Sequence, residues 1–407
     1  MTQKISDFGS SLSYVRNQLY FDNIDCRKIA KKYGTPIYCY SLKSIENSFN
    51  EIKQSFKKIK PLICYAVKAN HNKNILKKLS KLGSGADVVS VGELKQSLKC
   101  GIQPEKIVFS GVGKSDDELE FAIKKKIKQI NVESEEEIVD VMKIAKRNNK
   151  IVKIVLRVNP DTDAQTHEKI STGRLEDKFG IPLKKVKSIY KKYKNYTMIE
   201  IIGISVHIGS QIENIAPYKE AFNKIRKEII DLKNLGFEVS VIDLGGGIGI
   251  NYNNNRTLLI KDYSILIERL FADLGTQIIL EPGRLLVGSS GIIITKIIRI
   301  KKGDRKNFLI LNCGMNNLIR PSLYNAFHKI VPIKKNEDKK KSRFDIVGPI
   351  CESSDVFVKD YMIQSHIKKD DLLVICSTGA YGACMSSTYN LREETKEVCL
   401  EKGKLFK

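Results

Sequence analysis

Residues 65–70 read YAVKAN, and the lysine of this stretch, Lys68, follows directly on an apolar run that begins at Pro61. A lysine in that place is either a rim residue with its stem laid along apolar surface, or an amine held in a pocket for its chemistry. Nucleophilic lysines are commonly activated by apolar surroundings. The elements that position Lys68 have to decide between these interpretations.

Apolar, β-branched runs resembling Lys68's own strand recur through the first 285 residues, separated by amphipathic stretches typical of helices. Several of these stretches begin with a serine followed by acidic residues and end near a glycine, as helices do. Eight such units over about 250 residues predict a (β/α)8 barrel of the α/β class, whereas a doubly wound open sheet usually has fewer strands. The predicted strands lie at 62–67, 86–90, 107–110, 129–132, 152–158, 201–208, 239–244 and 277–280.

Catalytic groups of such barrels lie at the carboxyl-terminal ends of the strands, so the residues that follow the eight strands share one rim. Any one of them alone is most simply a structural rim residue, but their convergence favours a site. The residues at this predicted rim are Lys68, Asp87, Ser110, Glu133, Arg157, Asn159, His207, Gly245, Gly246, Gly247, Glu281 and Arg284.

Three consecutive glycines in DLGGGIG (243–249) follow the seventh strand, and EPGR (281–284) follows the eighth. Loops in these positions often bind phosphate, because bare amides can close on its oxygen atoms. The glycine spacing does not match the dinucleotide fingerprint. A lysine, a phosphate cradle, a histidine and a carboxylate on one rim are the groups that pyridoxal phosphate requires.

Seven motifs in the same order carry a family resemblance. Together they resemble the diaminopimelate decarboxylases, barrel-type, alanine-racemase-like enzymes that use pyridoxal phosphate, and the resemblance runs from about residue 20 to the end of the chain. The motifs are YAVKAN (65–70), HIGSQ (207–211), DLGGGIG (243–249), EPGR (281–284), GMNNLIRPSLY (314–324), GPICESSDVF (348–357) and GAYGACMSSTYN (379–390).

By this resemblance Lys68 is the lysine bonded to the cofactor, and His207 lies against the cofactor ring. Glu281 would pair with the ring nitrogen, and a carboxylate there favours the protonated ring and hence decarboxylation over racemisation. The cofactor-binding residues that the resemblance implies are Lys68, His207, Ser210, Gly245, Gly246, Gly247, Glu281, Pro282, Gly283, Arg284 and Tyr381.

The resemblance also implies a substrate pocket that reads the second amino-acid centre of diaminopimelate. Arg320 would bind the carboxylate of that centre and Glu352 its ammonium group. A site built for this carboxylate rejects an analogue without it by up to roughly 10⁴-fold, and on this ground we expect L-lysine, the product, to bind poorly. The implied substrate-binding residues are Arg284, Arg320, Tyr324, Glu352 and Tyr381.

Cys351 would be a catalytic residue that donates the proton replacing carbon dioxide. The alternative for a lone cysteine is a small buried hydrophobe. In the family, the loop with Cys351 and the loop with Tyr381 come from the partner subunit, which implies a homodimer with active sites at its interface. The catalytic set implied is therefore Lys68, His207, Glu281 and Cys351.

The activity implied is the pyridoxal-phosphate-dependent decarboxylation of meso-2,6-diaminopimelate to L-lysine, the last step of lysine biosynthesis. Arginine and carboxynorspermidine decarboxylases are the nearest alternatives. Ornithine decarboxylases tend to have a Cys-Asp pair where this chain has Cys351 and Glu352. A catalytically silent relative is the other alternative, although such proteins typically lose the lysine, the cysteine loop or the second domain.

Beyond about residue 290 the sequence changes to short β runs without long helices between them, which predicts an antiparallel β domain. The predicted organisation is an N-terminal segment, 1–36, that packs on the β domain, a cofactor-binding barrel, 37–285, and a C-terminal β domain, 286–407.

Composition argues against several other classes. The net charge is +24, but the lysines are spread over nearly every predicted helix, so we expect no nucleic-acid partner. Without a membrane-length apolar run or a signal-peptide core at the N-terminus, we expect a cytoplasmic protein with no membrane partner. Nine scattered cysteines, an odd number without zinc spacing, predict neither a disulfide framework nor a metal site.

Overall fold

The computed structural model of the protein describes residues 2–4, 11–164, 166–170, 172–174, 176–253, 257–337 and 340–406. The chain forms two compact units. The β unit comprises Met1–Asn47, Ile250–Arg256 and Leu286–Lys407, and the barrel unit comprises Ser48–Gly249 and Thr257–Leu285. The predicted domain limits after residues 36 and 285 stay a prediction, and residues 1 and 5–10 of the predicted N-terminal segment lie outside the described residues.

Eight parallel strands close on themselves in the barrel unit. Each pairs with the next along the chain, and the eighth pairs with the first, which confirms the predicted (β/α)8 barrel. A two-residue strand, Ile181–Pro182, adds to the fifth. The barrel strands, in order, are Leu62–Ala66, Gly85–Val88, Ile107–Phe109, Gln129–Val132, Val152–Asn159, Ile199–Val206, Val241–Asp243 and Gln277–Leu280.

Helices follow the barrel strands, and three of them begin at the predicted serine caps, Ser90, Ser115 and Ser134. Ser115 and Glu118 form a reciprocal capping box, which satisfies two amides of the first turn. The helices are Leu42–Ser55 before the first strand, then Lys73–Lys81, Val91–Lys99, Asp116–Lys125, Glu135–Arg147, Val186–Tyr193, Ile215–Asn234, Ile260–Phe271 and the short Arg284–Val287 after the eighth.

The inside of the barrel changes from apolar to polar along its strands. Cys64, Val108, Val155 and Val241, from the first, third, fifth and seventh strands, pack into one apolar cluster, as in the layers of closed barrels. Nearer the carboxyl-terminal ends the buried side chains are polar: Asp87, Asn131, Ser205 and Asp243. The fold therefore concentrates buried polar groups at the predicted catalytic rim.

The β unit is built around the long strand Gly291–Lys302, which pairs antiparallel with Ile37–Ser41, Asn307–Leu311 and Leu372–Ile375. Two pairings in this sheet are parallel, Asn307–Leu311 with Lys341–Val347 and Ile37–Ser41 with Lys396–Glu401. The expected β domain is thus present as a mixed sheet, because strands far apart in sequence meet side by side. The remaining strands are Ile330–Pro332, Val356–Gln364 and Lys404–Phe406.

A four-stranded antiparallel sheet also belongs to the β unit. Its side chains Leu12, Leu19 and Phe21 are buried in one core with Ile292 and Val398 of the larger sheet. The small sheet consists of Thr2–Lys4, Leu12–Val15, Gln18–Phe21 and Ile24–Asp25, and the helices of the unit are Cys26–Tyr33 and Arg320–Tyr324.

Among the described residues, no helix has both the length and the apolar character needed to cross a membrane.

Gly203, in the sixth barrel strand, lies where two backbones of the barrel approach each other closely. The register between the fifth and sixth strands shifts beside it, and a Cβ at Gly203 would lie 1.9 Å from the carbonyl oxygen of Val241. We expect Gly203→Ala to lower the free energy of unfolding by about 3 kcal/mol or more, measured by urea denaturation, because the strands have to move apart.

Gly92→Ala is the matched control. Gly92 lies in the helix Val91–Lys99, and a Cβ there would meet only Ser90 Oγ, at 3.6 Å. Alanine at this position should stabilise the protein by roughly 0.5–1 kcal/mol through its helix propensity. A Gly203→Ala variant as stable as the wild type would mean that the sixth and seventh strands tolerate a wider spacing.

Candidate active site

A cavity of about 300 Å³ lies at the carboxyl-terminal end of the barrel, within the range of small-molecule sites. It brings together five residues of the predicted rim with six that the sequence did not single out. The lining residues are Lys68, Val89, Ser110, Gly111, Val112, Arg157, Thr172, Phe179, Ser205, His207 and Glu281.

Lys68 reaches this cavity from a turn of 3-10 helix, Val67–Ala69, directly after the first strand. Tyr65 closes the turn by donating its hydroxyl to the carbonyl of Asn70, at 2.8 Å. The Lys68 Nζ donates to Oδ2 of Asp87 at 2.8 Å, and this aspartate is fully buried while the lysine side chain is 36% exposed. The structure therefore supports the interpretation of Lys68 as a pocket amine held over a buried carboxylate.

Two further carboxyl groups, Asp243 and Glu281, are buried at the same end of the barrel. Asp243 accepts hydrogen bonds from Asn131 Nδ2 at 3.0 Å and from the Gly245 amide at 3.1 Å. Burial raises the pKa of Asp243 to about 6. The pKa of Glu281 is raised well above its ordinary value, first by burial and then by the neighbouring acids Asp243 and Asp87. Glu281 therefore retains a proton at pH values where an exposed glutamate has lost it.

His207 is a neutral imidazole of fixed orientation. Burial lowers its pKa well below the usual range, and the nearby cations Lys68 and Arg157 lower it further. Its Nδ1 accepts the amide hydrogen of Gly246 at 3.2 Å, which places the ring proton on Nε2. An uncharged ring held in this way is suited to lie against an aromatic cofactor.

Arg157 and Glu133 form a buried ion pair at 2.6 Å beside the cavity. The guanidinium carbon of Arg157 lies 4.7 Å from the centre of the Phe179 ring. Glu133 also accepts the amide hydrogens of Gly111 and Gly180, at 3.0 and 3.1 Å. The pair therefore fixes two rim loops as well as placing a cation at the cavity wall.

The glycines at 245–247 are required by the packing of the barrel backbone. A Cβ on Gly246 would lie 2.2 Å from the carbonyl oxygen of Glu281, and Gly245 and Gly247 have positive φ values of 64° and 98°. The amides of Gly245 and Gly246 donate to Asp243 and His207, as described above. The amides of Gly245 and Gly246 are therefore hydrogen-bonded within the barrel. Of the three glycine amides, that of Gly247 is the one suited to bind an anion.

The loops after the sixth and eighth strands meet at the same rim. Arg284 Nη2 donates to Ser210 Oγ at 3.0 Å. The carbonyl of Pro282 accepts the amide hydrogen of Ala66 at 3.2 Å, and a Cβ on Gly283 would lie 3.1 Å from the Cβ atoms of Ala66 and Ala69. The EPGR loop is therefore packed directly against the strand and turn that carry Lys68.

These residues fit pyridoxal phosphate. Oε1 of Glu281 is buried and has no hydrogen-bond partner among the described residues, so it is suited to face a protonated ring nitrogen. Lys68 lies on the same cavity, and Arg284, Ser210 and Gly247 offer donors for a phosphate group. The requirements for an amine, a ring acid and an anion site are thus met within one unit.

The β unit carries the other predicted site residues. Arg320 is buried and Tyr324 half-buried on the helix Arg320–Tyr324, and Tyr381 adopts a left-handed conformation with φ of 55°. Cys351 is exposed, which excludes the alternative that it is a buried hydrophobe. The predicted residues therefore fall into two groups, one in each unit.

Glu352 is held as an exposed carboxylate in the β unit. Its Oε1 accepts from the Tyr389 hydroxyl at 2.6 Å and its Oε2 from Ser354 Oγ at 3.0 Å. These hydrogen bonds lower the pKa of Glu352, first through Tyr389 and then through Ser354. The amide of Cys351 donates to Asn390 Oδ1 at 3.0 Å, so the cysteine loop is tied to the segment 389–390.

Asp355 joins two of the predicted substrate loops. Its Oδ1 accepts the Met315 amide at 2.6 Å and its Oδ2 accepts the Ile350 amide at 2.7 Å. The glycines of these loops make room for the carboxylate, since a Cβ on Gly348 would lie 2.3 Å from Asp355 Oδ2. Asp355 thus fixes the loop with Arg320 relative to the loop with Cys351.

Several residues at the carboxyl-terminal end of the barrel were not predicted as site residues. Asp243, Asn131 and Ser205 lie near the ends of buried strands, and the inward-facing alternation of those strands was the signal that could have found them. Phe179 and Thr172 lie in a long connection after the fifth strand, where no periodicity marks them. Asn159, from the predicted rim, instead donates to the carbonyls of Arg174 and Phe179 and supports this connection.

Comparisons with known proteins identify the family of the chain. The family profile described as "Pyridoxal-dependent decarboxylase, pyridoxal binding domain" matches residues 42–288. Diaminopimelate decarboxylase of Aquifex aeolicus is 41% identical over 400 residues, covering 98% of this chain and 94% of that protein. The enzyme of Helicobacter pylori strain J99 is 43% identical over 378 residues, covering 93% of each chain.

The fold is similar to a solved structure of the same enzyme. The crystal structure of H. pylori diaminopimelate decarboxylase complexed with L-lysine superposes with a TM-score of 0.90 at 42% identity, covering 94% of this chain and 95% of that chain. Both the full-length sequence similarity and the predicted cofactor site point to one group of enzymes. The chain belongs to the diaminopimelate decarboxylase family of pyridoxal-dependent decarboxylases.

Proposed function

We propose that the protein decarboxylates meso-2,6-diaminopimelate to L-lysine and carbon dioxide with pyridoxal phosphate, as the last step of lysine biosynthesis. The observation that carries this function is the Lys68 amine and the buried Glu281 carboxyl on one barrel cavity, in a chain similar over nearly its full length to enzymes named for this reaction. Lys68, Cys351 and a β unit are all present, which argues against a catalytically silent relative.

The barrel unit holds and tunes the cofactor. Bound pyridoxal phosphate supplies the electron sink that lets the carboxyl group leave as carbon dioxide. Lys68 anchors the cofactor, and the neutral His207 orients its ring without adding charge. Glu281 would face the protonated ring nitrogen through its unpartnered Oε1, and burial together with Asp243 raises the pKa of this carboxyl group. The anion site of Gly247, Ser210 and Arg284 binds the phosphate.

Residues of the β unit would recognise the rest of the substrate. Arg320 binds the carboxylate of the far L-centre, and the ionised Glu352 binds its ammonium group. Tyr324 and Tyr381 of the same unit, and Arg284 of the barrel unit, would complete the contacts. Cys351 supplies the proton that forms the new carbon–hydrogen bond where the carboxyl group has left.

This arrangement corrects the expectation that L-lysine binds poorly. Decarboxylation removes the carboxylate of the D-centre, so the product keeps the L-centre with both its carboxylate and its ammonium group. These are the groups that Arg320 and Glu352 would contact. The H. pylori relative was solved in complex with L-lysine, and we expect this chain to bind its product as well.

A second copy of the chain would complete the site. Leu391 is 99% exposed with a φ of 54°, and its neighbour Tyr389, hydrogen-bonded to Glu352, is 45% exposed. A strained backbone that presents apolar side chains to water is costly unless a partner covers it. These features support a homodimer in which the segment with Cys351 and Leu391 meets the partner.

Nine free thiols suit the reducing cytoplasm, where we place the enzyme.

The activity can be tested by carbon dioxide release from meso-diaminopimelate, ornithine, arginine and carboxynorspermidine. We expect turnover of diaminopimelate, and we expect Lys68→Ala to abolish both turnover and the visible absorbance of the bound cofactor, because no other residue would anchor it. Lys153→Ala, at an exposed position of the fifth strand, should leave both unchanged. Activity on ornithine or arginine without activity on diaminopimelate would contradict the proposal.

Sharing of the site between subunits can be tested by mixing variants. Cys351→Ala should slow turnover without loss of cofactor absorbance, because the cysteine delivers a proton and does not hold the ring; Cys100→Ala, a buried control on the barrel, should keep full activity. A mixture of Lys68→Ala and Cys351→Ala dimers that exchange subunits should regain about a quarter of wild-type activity, since half the dimers then carry one intact site. No recovery despite subunit exchange would place all catalytic groups of a site in one chain.

The buried Asp243 should leave a signature in the pH dependence of stability. Its pKa is about 6 in the folded protein against an ordinary 3.8, so its contribution is fully present below about pH 4 and is lost as the pH rises through 6. In urea denaturation of the cofactor-free protein, the free energy of unfolding of Asp243→Asn should therefore rise by up to about 3 kcal/mol relative to that of wild type between pH 4 and 7.

Asp231→Asn is the control for this titration. Asp231 is a surface group whose pKa is lowered by a hydrogen bond from Lys187, so the stability that its ionised form contributes is lost only below about pH 4. Its variant should therefore differ in stability from wild type by a nearly constant amount between pH 4 and 7. Parallel pH profiles for wild type and Asp243→Asn would show that Asp243 is not buried as an acid with a raised pKa.

A further inference from the structure

Arg320 sits in a cluster of three side chains within the β unit. Its Nη1 lies 2.8 Å from Nε2 of His328, and its guanidinium carbon lies 4.8 Å from the centre of the Tyr252 ring. The rings of Tyr252 and His328 meet edge to face, with their centres 5.2 Å apart. Arg320 and His328 are buried, whereas Tyr252 is half-buried.

The contacts of His328 define its protonation. A guanidinium can only donate, so the Nε2 of His328 has to be the acceptor of the Arg320 hydrogen bond. The Nδ1 of His328 lies 2.9 Å from the carbonyl oxygen of Cys376, which can only accept. The ring proton is therefore on Nδ1, and His328 is neutral whenever both hydrogen bonds are present.

We propose that His328 and Tyr252 are positioning residues that fix the Arg320 guanidinium for the carboxylate of the substrate's L-centre. The inference rests on the proposed function, in which Arg320 reads that carboxylate. Tyr252 offers its ring face to the plane of the cation, and His328 takes one donor at the edge. The cluster thereby sets the plane of the guanidinium and the direction of its remaining donors.

Losing the contact with His328 or with Tyr252 should have a specific effect on ligand affinity. An arginine side chain has many rotamers, and ordering it at the moment of binding weakens affinity for the ligand. Contacts made before the ligand arrives remove part of that cost. Their loss should weaken only ligands that carry the L-centre carboxylate, because only these use the guanidinium.

The experiment compares two competitive inhibitors of the holoenzyme, L-lysine and cadaverine, which differ by that carboxylate. His328→Asn keeps an amide donor near the Nδ1 position, for the Cys376 carbonyl, but has no acceptor near Nε2. We expect the inhibition constant of L-lysine to rise about tenfold in this variant, and that of cadaverine to stay unchanged. KM for meso-diaminopimelate should rise similarly, with kcat retained at saturation.

His328→Gln is the matched rescue, because its longer side chain carries an amide oxygen near the position of Nε2. We expect it to restore L-lysine binding to within about threefold of wild type. Tyr252→Leu, at a half-buried site, should repeat the selective loss for L-lysine. Equal weakening of both inhibitors, or of neither, in His328→Asn and Tyr252→Leu would overturn the proposal.

Arg320→Met separates this inference from the function on which it rests. If Arg320→Met selectively weakens L-lysine binding and the His328 and Tyr252 variants do not, Arg320 still binds the carboxylate. That result would refute only the positioning role. An Arg320→Met variant that still prefers L-lysine over cadaverine as wild type does would refute the proposed role of Arg320 itself.

Discussion

The burial of three carboxyl groups at one end of a closed barrel is the constraint on which the site depends. Asp87, Asp243 and Glu281 have little access to water, and each ionised form has to be compensated from within the protein. Asp87 has the Lys68 ammonium, Asp243 has an amide and a backbone N–H, and Glu281 keeps its proton. The chemistry of the cavity follows from this distribution of charge.

The remaining polar groups of the rim follow the same constraint. Arg157 is buried together with its ion-pair partner Glu133, and His207 is neutral because burial, and then two nearby cations, lower its pKa. Each group thus enters the cavity in one defined ionisation state. A cofactor whose ring nitrogen carries a proton would supply the hydrogen-bond partner that Oε1 of Glu281 lacks among the described residues.

The sequence was informative where a residue type and a strand end coincide. Lys68, His207 and Glu281 follow buried strands and line the cavity as predicted, and the eight strands were found because closed barrels repeat one unit. Their roles at the cofactor, like those of the β-unit residues, came from the resemblance and stay proposals. Contacts such as Arg320 with His328 and Tyr252 join loops through tertiary packing, and no local period encodes them.

Asp355 has a consequence for anyone who would redesign this enzyme. Its two carboxylate oxygens hold the backbones of segments 314–320 and 348–355, and the glycines of both segments are shaped around it. The segment with Arg320 and the segment with Cys351 are therefore joined into one structural module. A graft that moves one segment without the other would separate them from their shared carboxylate, so the substrate preference and the proton delivery proposed for these segments have to be engineered together.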